Sequence, residues 1–391
     1  MIAATNTDAT RVTATTEAAS ATTGEPIPVT DVHAHLLLPE LLEAVRRRAP
    51  EQMDGADELE LRRNGSASMK VSGAMIRDRF PKLTRLDVRL ADMVEQGVDV
   101  QWVSPSPSHY YPWADEDLAV WIAREANLLL AEHIGGARDR LMGLGLVPLQ
   151  HPNRIVECAE DAVLGRGLIG IEIPSFAGDV ELSDARLEPF WTRMEELGAI
   201  VFVHPFGCSL DERLDRFYLT NTVGQPAENA VALSHLIFAG VLDRHPRLKI
   251  VAAHGGGYLP TAIGRSDRAW EIRPEARGCQ RAPSSYLNQI WYDTVVHDGT
   301  ALRRLIETVG ADRVVLGSDY PFDMGLEDPA ADVRSSLISQ GLGEDVVLAV
   351  TAANASALMG ATASTLAGSA ESIISSGSAE NTDSIVKGDQ R

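Results

Sequence analysis

Short apolar runs rich in Val, Ile and Leu recur along the chain, and longer stretches with helical periodicity separate most of them. The runs that we predict as strands read, in order, IPVTDVHAH, VDVQWVSPS, LMGLGLVPL, LIGIEIPS, AIVFVHP, LKIVAAHGG, IWYDTVV and VVLGSDYP. Nearly continuous apolar runs are typical of parallel strands that are buried on both faces. The alternation of such strands with helices therefore predicts an α/β fold built on a parallel sheet.

Two architectures fit this alternation, an open doubly wound sheet and a closed barrel. An open sheet would usually carry a glycine-rich phosphate loop after an early strand. Here the first strand instead ends in Asp-Val-His-Ala-His. We therefore favour a distorted (β/α)8 barrel, the TIM barrel, in which strand ends and the loops that follow them form the active site.

The same pattern predicts one domain, residues 26–361, between two tails. Residues 1–25 are rich in Ala and Thr, and residues 362–391 are rich in Ser, Gly and Ala. Neither segment has the large apolar side chains that offset the entropy of ordering, so we expect both to be disordered. Residues 38–82 form a long excursion after the first strand, which we expect to be a lid or small subdomain over the barrel mouth.

Charge and cysteine content narrow the range of partners. The formal net charge of −20 would repel nucleic acid and anionic membranes. No apolar run approaches the roughly 20 residues of a membrane-spanning helix, and the first residues lack the pattern of a secretory signal. The three scattered cysteines fit neither a disulfide framework nor a thiolate metal site. We expect a cytoplasmic protein that acts on a small molecule.

Polar residues end several of the predicted strands. His33 and His35 end the first strand, His204 the fifth, His254 the sixth and Asp319 the eighth. Residues i and i+2 of a strand point the same way, so both histidines of the first strand can face one ion. Three imidazoles and a carboxylate suit one divalent metal, Zn²⁺ first and Mn²⁺ as the alternative. A single histidine at a strand end is commonly an ordinary core residue, and the ordered set carries the prediction.

Two further positions bear on the metal count and on the substrate. The fourth strand, LIGIEIPS, offers Glu172 but no lysine, the residue that is carboxylated to bridge two metals in binuclear barrel hydrolases. One metal is therefore expected, and Glu172 as an extra ligand stays open. His109, in SPSHYYPW after the second strand, faces the predicted mouth and is a candidate substrate contact.

The ordered motifs DVHAH, VHP, AHGGG and GSDYPF resemble the amidohydrolase superfamily. More closely, the chain resembles the branch of the 2-amino-3-carboxymuconate-6-semialdehyde and γ-resorcylate decarboxylases, most strongly from residue 222 onward. The resemblance implies a zinc ion held by His33, His35, His204 and Asp319. It implies His254 as general acid/base beside a metal-bound water, with Asp319 taking part in catalysis. It also implies a homodimer.

The resemblance bears on substrate contacts as well. It places Arg273 where the semialdehyde decarboxylase supplies an arginine across the dimer interface to bind a substrate carboxylate. The excursion after the first strand aligns only loosely, with Arg62, Arg63, Lys70 or Arg77 as stand-ins for the family's substrate-holding cations; we select Arg63. Phe206-Gly207 replaces the aromatic-acidic pair of that family, so Phe206 is also an expected contact. These departures bear on which substrate binds more than on the type of reaction.

The function that follows is a metal-dependent, nonoxidative decarboxylase in aromatic catabolism. Its expected substrate is a carboxymuconate semialdehyde-like or a hydroxy- or amino-aromatic carboxylic acid. The same site would also serve a hydrolase or hydratase of a lactone, amide or unsaturated ring-cleavage product, because water activation is common to both. A catalytically idle barrel that binds a metal or a partner is a third alternative, and retention of all four ligands and His254 argues against it.

Overall fold

The computed structural model describes residues 26–360, so the two predicted tails and the predicted domain end at residue 361 lie outside the described residues. Each of the eight predicted strands forms. They are β1 (Thr30–Leu36), β2 (Val100–Pro105), β3 (Leu141–Leu146), β4 (Gly170–Pro174), β5 (Ile200–His204), β6 (Lys249–Ala252), β7 (Ile290–Asp293) and β8 (Val314–Val315).

The strands form one parallel sheet in sequence order, β1 to β8. β8 is short, and the residues after it close the sheet against β1. The backbone N–H of Val32 donates to the carbonyl of Leu316 at 2.8 Å, and that of Asp319 donates to the carbonyl of His33 at 2.9 Å. These bonds close the predicted (β/α)8 barrel and bring Asp319 beside the histidines of β1.

Helices surround the barrel. They are α1 (Pro39–Arg48), α2 (Pro50–Thr84), α3 (Leu86–Glu95), α4 (Glu116–Ile134), α5 (Ile155–Glu160), α6 (Glu188–Leu197), α7 (Gln225–Phe238), α8 (Val241–Arg244), α9 (Leu259–Ile272), α10 (Gly299–Val309), α11 (Pro329–Ser339) and α12 (Glu344–Leu348). Asp298 caps α10 by accepting the N–H of Ala301 at 2.7 Å. Within residues 26–360 no helix combines the length and the apolar character needed to cross a membrane.

Both faces of the strands are buried, which explains their nearly continuous apolar sequences. One apolar cluster includes Val32, Trp102, Phe202 and Val251 from the strands. A larger cluster includes alternate strand residues and the apolar faces of the surrounding helices. His35, His204 and Asp293 lie at or next to the carboxyl ends of their strands, at one rim of this barrel.

The excursion after β1 is helical and contributes to the mouth of the barrel. α2 is interrupted at Gly65, whose φ of 75° and ψ of 150° are not helical. A side chain at this position would overlap the carbonyl oxygen of Asp215, in the loop after β5. Next to the break, Arg62 pairs with Glu212 and Arg63 pairs with Asp211 at 3.0 Å. The glycine and these ion pairs hold α2 against the loop after β5.

Candidate metal centre and active site

The four predicted ligands lie together at the carboxyl ends of the strands. One nitrogen or oxygen atom from each of His33, His35, His204 and Asp319 lies within 4.8 Å of the others, and all four residues are buried. The Nε2 atoms of His33 and His35 are 3.1 Å apart. Oδ1 of Asp319 lies 3.3 Å and 3.2 Å from these two nitrogens. The His204 ring lies 5.0 Å and 4.9 Å from the two rings of β1.

The donor atoms of this cluster fit a divalent metal ion. Both ring nitrogens of His204 and Oδ1 of Asp319 are buried without a hydrogen-bond partner among the described residues. Buried polar atoms are nearly always paired, so such atoms converging on one point call for a ligand. Burial, reinforced by the neighbouring imidazoles, holds the pKa of His204 well below its usual range. Its neutral ring therefore keeps a lone pair for a metal.

Asp293, at the end of β7, orients His33. Nδ1 of His33 lies 2.6 Å from Oδ2 of Asp293, while Oδ1 of Asp293 accepts the N–H groups of Gly255 and Val295 at 2.9 Å and 3.1 Å. This bond turns Nε2 of His33 toward the cluster, as a carboxylate partner does for many metal-binding histidines. Asp293 was missed at the sequence level, although an acidic residue closing an apolar strand was a usable signal.

Glu172 stands behind His35 and outside the four-residue cluster. Its Oε2 lies 3.9 Å from Nδ1 of His35, whereas the Nε2 of that ring faces the cluster. Its Oε1 accepts the hydroxyl of Tyr110 at 2.6 Å, and burial raises the pKa of its carboxyl group. Ser104 also approaches Nδ1 of His35, with its Oγ at 3.1 Å. The arrangement favours a single metal and does not use Glu172 as a ligand.

A buried polar network supports the strands that carry the ligands. Asp31 accepts the N–H and the hydroxyl of Ser318 at 3.0 Å and 2.6 Å, and the amide of Gln101 at 2.8 Å. Arg89 of α3 donates to Gln101 at 2.6 Å and to the carbonyl of His35 at 2.5 Å. Burial lowers the pKa of Arg89 to about 10, so this side chain is charged at neutral pH. Asp31 is thus a buried hydrogen-bonding support.

His254 lies beside Asp319, and both have unusual backbone angles. Their φ values are 53° and 60°, a region that few residues other than glycine adopt and that concentrates at functional sites. Nε2 of His254 lies 3.6 Å from Oδ2 of Asp319. Burial alone would raise the pKa of Asp319, but His33, His254 and His35 together hold it well below its usual range. The ionised carboxylate therefore faces the ligand cluster with one oxygen and His254 with the other.

Two cavities meet at this cluster. The lid cavity, of about 400 Å³, lies between α2 and the barrel mouth and is bordered by His204, Phe206 and Asp319. The second, which we call the His254 cavity, measures about 360 Å³ and lies between His254 and the amino-terminal ends of α9 and α10. Asp319 borders both. Volumes of this size are typical of sites for small molecules.

Of the predicted substrate contacts Phe206, Arg63 and His109, one lines a cavity and the other two do not. Phe206 lines the lid cavity. Arg63 does not line it and is paired with Asp211. His109 is buried, and its Nε2 accepts the backbone N–H of Leu38 at 3.0 Å, so the ring supports the loop after β1. The positions of Arg63 and His109 therefore do not support a substrate contact, which stays a prediction for both residues.

Arg273 is exposed and pairs with Glu275 just beyond the carboxyl-terminal end of α9. The opposite end of this helix borders the His254 cavity. At 1.5 Å per residue, the 14 residues of α9 separate the two by about 20 Å. Arg273 therefore does not reach a cavity of its own chain, and a substrate contact would require a second copy.

Comparison with known proteins identifies the family. Residues 30–361 match the family model described as amidohydrolase, so the chain belongs to the amidohydrolase superfamily. A 2-amino-3-carboxymuconate-6-semialdehyde decarboxylase of Dictyostelium discoideum is 34% identical over 69% of this chain and 76% of its own length. A γ-resorcylate decarboxylase of Rhodococcus jostii is 28% identical over 61% and 77%. Within the superfamily the chain falls in this decarboxylase branch.

Solved structures confirm the fold. A 5-carboxyvanillate decarboxylase from Sphingomonas paucimobilis superimposes with a TM-score of 0.71 at 24% identity, over 85% of this chain and 98% of that one. A dihydroxybenzoic acid decarboxylase from Polaromonas, solved with bound manganese and an inhibitor, gives a TM-score of 0.67 at 23% identity, over 85% and 97%. The fold is thus shared with decarboxylases that are less than 25% identical to this chain.

Proposed function

We propose that this chain is a metal-dependent, nonoxidative decarboxylase, a C–C lyase, acting on a carboxymuconate semialdehyde-like or a hydroxy- or amino-aromatic carboxylic acid. The observation that carries the proposal is the convergence of four buried metal-ligand side chains with His254 where two cavities meet. The names of the semialdehyde and γ-resorcylate decarboxylases among its relatives support the reaction type.

His33, His35, His204 and Asp319 would hold one divalent ion, for which both Zn²⁺ and Mn²⁺ are suitable. When bound, such an ion would stabilise the negative charge that builds up as the substrate loses CO₂. The manganese bound to the Polaromonas decarboxylase supports Mn²⁺ as a candidate beside Zn²⁺.

The protein side chains would bind the substrate ring and transfer a proton to it. Decarboxylation breaks the bond between a substrate carbon and its carboxylate, releases CO₂ and requires a proton on the carbon left behind. His254 borders the His254 cavity, and its imidazole is only 13% exposed. It can therefore deliver that proton away from bulk water. The adjacent carboxylate of Asp319, with Oδ2 at 3.6 Å from Nε2 of His254, orients the ring. Phe206 supplies an apolar wall for the ring.

We further propose that the protein works as a cytoplasmic homodimer in which Arg273 of one subunit reaches the substrate carboxylate in the other. The exposed position of Arg273, remote from the cavities of its own chain, is compatible with this role. Cys158, Cys208 and Cys279 are free and buried, which supports a reducing compartment.

The direct test is the variant His254→Ala, assayed for CO₂ release with hydroxybenzoates, aminobenzoates and a carboxymuconate semialdehyde. We expect activity to fall by about 10²–10⁴-fold, the usual contribution of a general acid, with metal content unchanged. His235→Ala is the matched control, because this histidine lies on α7 outside both cavities.

Two results would contradict the proposal. Full activity of His254→Ala would remove the histidine from the reaction. A metal-loaded wild-type protein that releases no CO₂ from any of these acids would exclude decarboxylation of these substrate classes. Incorporation of labelled solvent oxygen into a product without CO₂ would indicate the hydrolase alternative instead.

A further inference from the structure

The lid cavity carries no positive charge of its own. None of the described residues that line it is Lys or Arg. Its acidic members are Glu60 in the α2 wall, Asp323 at the rim and Asp319 of the ligand cluster. The His254 cavity likewise lacks Lys and Arg among the described residues that line it. Within one subunit, a bound ion at the cluster would therefore be the main attraction for an anionic group.

Two arginines of α2 near this wall pair with acidic residues of the loop after β5, and Lys70 and Arg77 of the same helix lie outside the cavity lining. Arg63 donates through Nε to Asp211 at 3.0 Å, and Arg62 pairs with Glu212. Glu60, one helical turn before Asn64, is half-buried, and its Oε2 accepts the Asn64 amide at 3.4 Å. The α2 wall therefore offers an acceptor carboxylate toward the cavity.

The remaining lining is apolar or neutral. Met69, Met75 and Phe206 provide apolar surface for a ring, and Ser68, Ser72 and Gln225 provide neutral hydrogen-bonding groups. A substrate bound with one carboxylate toward the ligand cluster would place its other substituents against this lining. Hydroxyl or amino substituents can donate to the carboxylates of Glu60 and Asp323. A second carboxylate would meet like charges without a Lys or Arg of the same subunit in the lining to offset them.

We propose that Glu60 and Asp323 are specificity-determining residues that exclude a second carboxylate. The substrate class is then a ring acid with a single carboxylate and neutral hydrogen-bond donors as its other substituents. This inference rests on the proposed decarboxylase function and selects the hydroxy- or amino-aromatic monocarboxylates from the two substrate classes named there.

The test uses hydroxybenzoates in matched pairs that differ only in a remote carboxylate or its isosteric carboxamide. For the metal-loaded wild-type protein we expect kcat/KM to be at least about tenfold higher for the carboxamide. The double variant Glu60→Gln/Asp323→Asn, and each single variant, should shrink that ratio several-fold toward one. Raising the salt concentration should shrink it too, because Asp323 is exposed and its charge is screened.

The control variant is Glu58→Gln, on the same helix but outside the cavity lining, which should leave both activity and the ratio unchanged. A wild-type ratio near one, or a large ratio that the double variant does not change, would overturn the inference while leaving the decarboxylase intact. Calorimetric binding of matched nitro analogues that cannot lose CO₂ provides the same comparison without turnover. If no acid released CO₂, the proposed function would fail, and this binding arm would still decide the charge selection.

Discussion

Hydrogen bonds from neighbouring side chains orient the residues of the ligand cluster. His33 is the clearest case, because Asp293 holds its Nδ1 at 2.6 Å and leaves Nε2 facing the cluster. Burial by itself would lower the pKa of His33, but the carboxylates of Asp319 and Asp293 raise it to about 10. The orientation of this ring thus depends on Asp293, which is not a ligand, whereas its pKa depends on both Asp319 and Asp293.

We predict that Asp293→Asn weakens metal binding by about 10–100-fold, the usual effect of losing a partner that orients a ligating histidine. The neutral amide accepts the His33 proton less strongly, and its NH₂ group is placed against further donors. Competition with a chromophoric chelator would measure the dissociation constant. Asp298→Asn is the control, because asparagine keeps the cap of α10 and should leave metal affinity unchanged. Equal affinities for both variants would refute the role of Asp293.

At the scale of elements, the position of α2 depends on one glycine. Gly65 adopts a positive φ, and a side chain there would overlap the Asp215 carbonyl oxygen. Residues on both sides of this break, including Glu60 and Met75, line the lid cavity. The wall of the lid cavity is therefore correctly placed only if α2 keeps its break at Gly65 against the loop after β5.

Gly65→Ala should displace α2 from this loop. A strained conformation of this kind costs about 1–3 kcal/mol, so we expect kcat/KM to fall roughly tenfold, mainly through KM. Gly55→Ala is the matched control on the same helix, because a Cβ there meets no atom within 4 Å. Steady-state kinetics of the two variants would decide the matter. A Gly65→Ala protein with unchanged KM would show that the contact with Asp215 does not position the cavity wall.

At the scale of the whole molecule, the proposed contact of Arg273 with substrate requires two copies to build one site. Arg273 lies about 20 Å from the cavity of its own chain by the length of α9. Arg273→Ala should raise KM strongly without changing metal content if the arginine binds substrate across an interface. Mixing this variant with inactive His254→Ala should restore part of the activity, because each hybrid dimer then contains one complete site. Absence of complementation would argue against a contact across the interface.

Much of the architecture follows from local pattern. The apolar strands alternate with helices, and a strand buried on both faces has to be apolar along nearly its whole length. Polar residues at strand ends, such as His204 and Asp319, can therefore be assigned to one rim from the order of strands and helices. The excursion after β1 is recognisable in the sequence by its length, whereas its break at Gly65 has no sequence signal beyond a single glycine.

The sequence alone specifies the barrel, the set of ligand-type side chains and their common rim, because periodicity and strand order are local properties of the chain. Only the tertiary structure shows that Asp293 holds His33, that Glu172 stands behind His35, and that His109 and Arg63 are used in contacts within the protein. These relations join residues that are distant in the chain, and side-chain direction depends on packing across strands. The charge of the lid cavity likewise appears only when α2 and the loops after β5 and β8 are brought together.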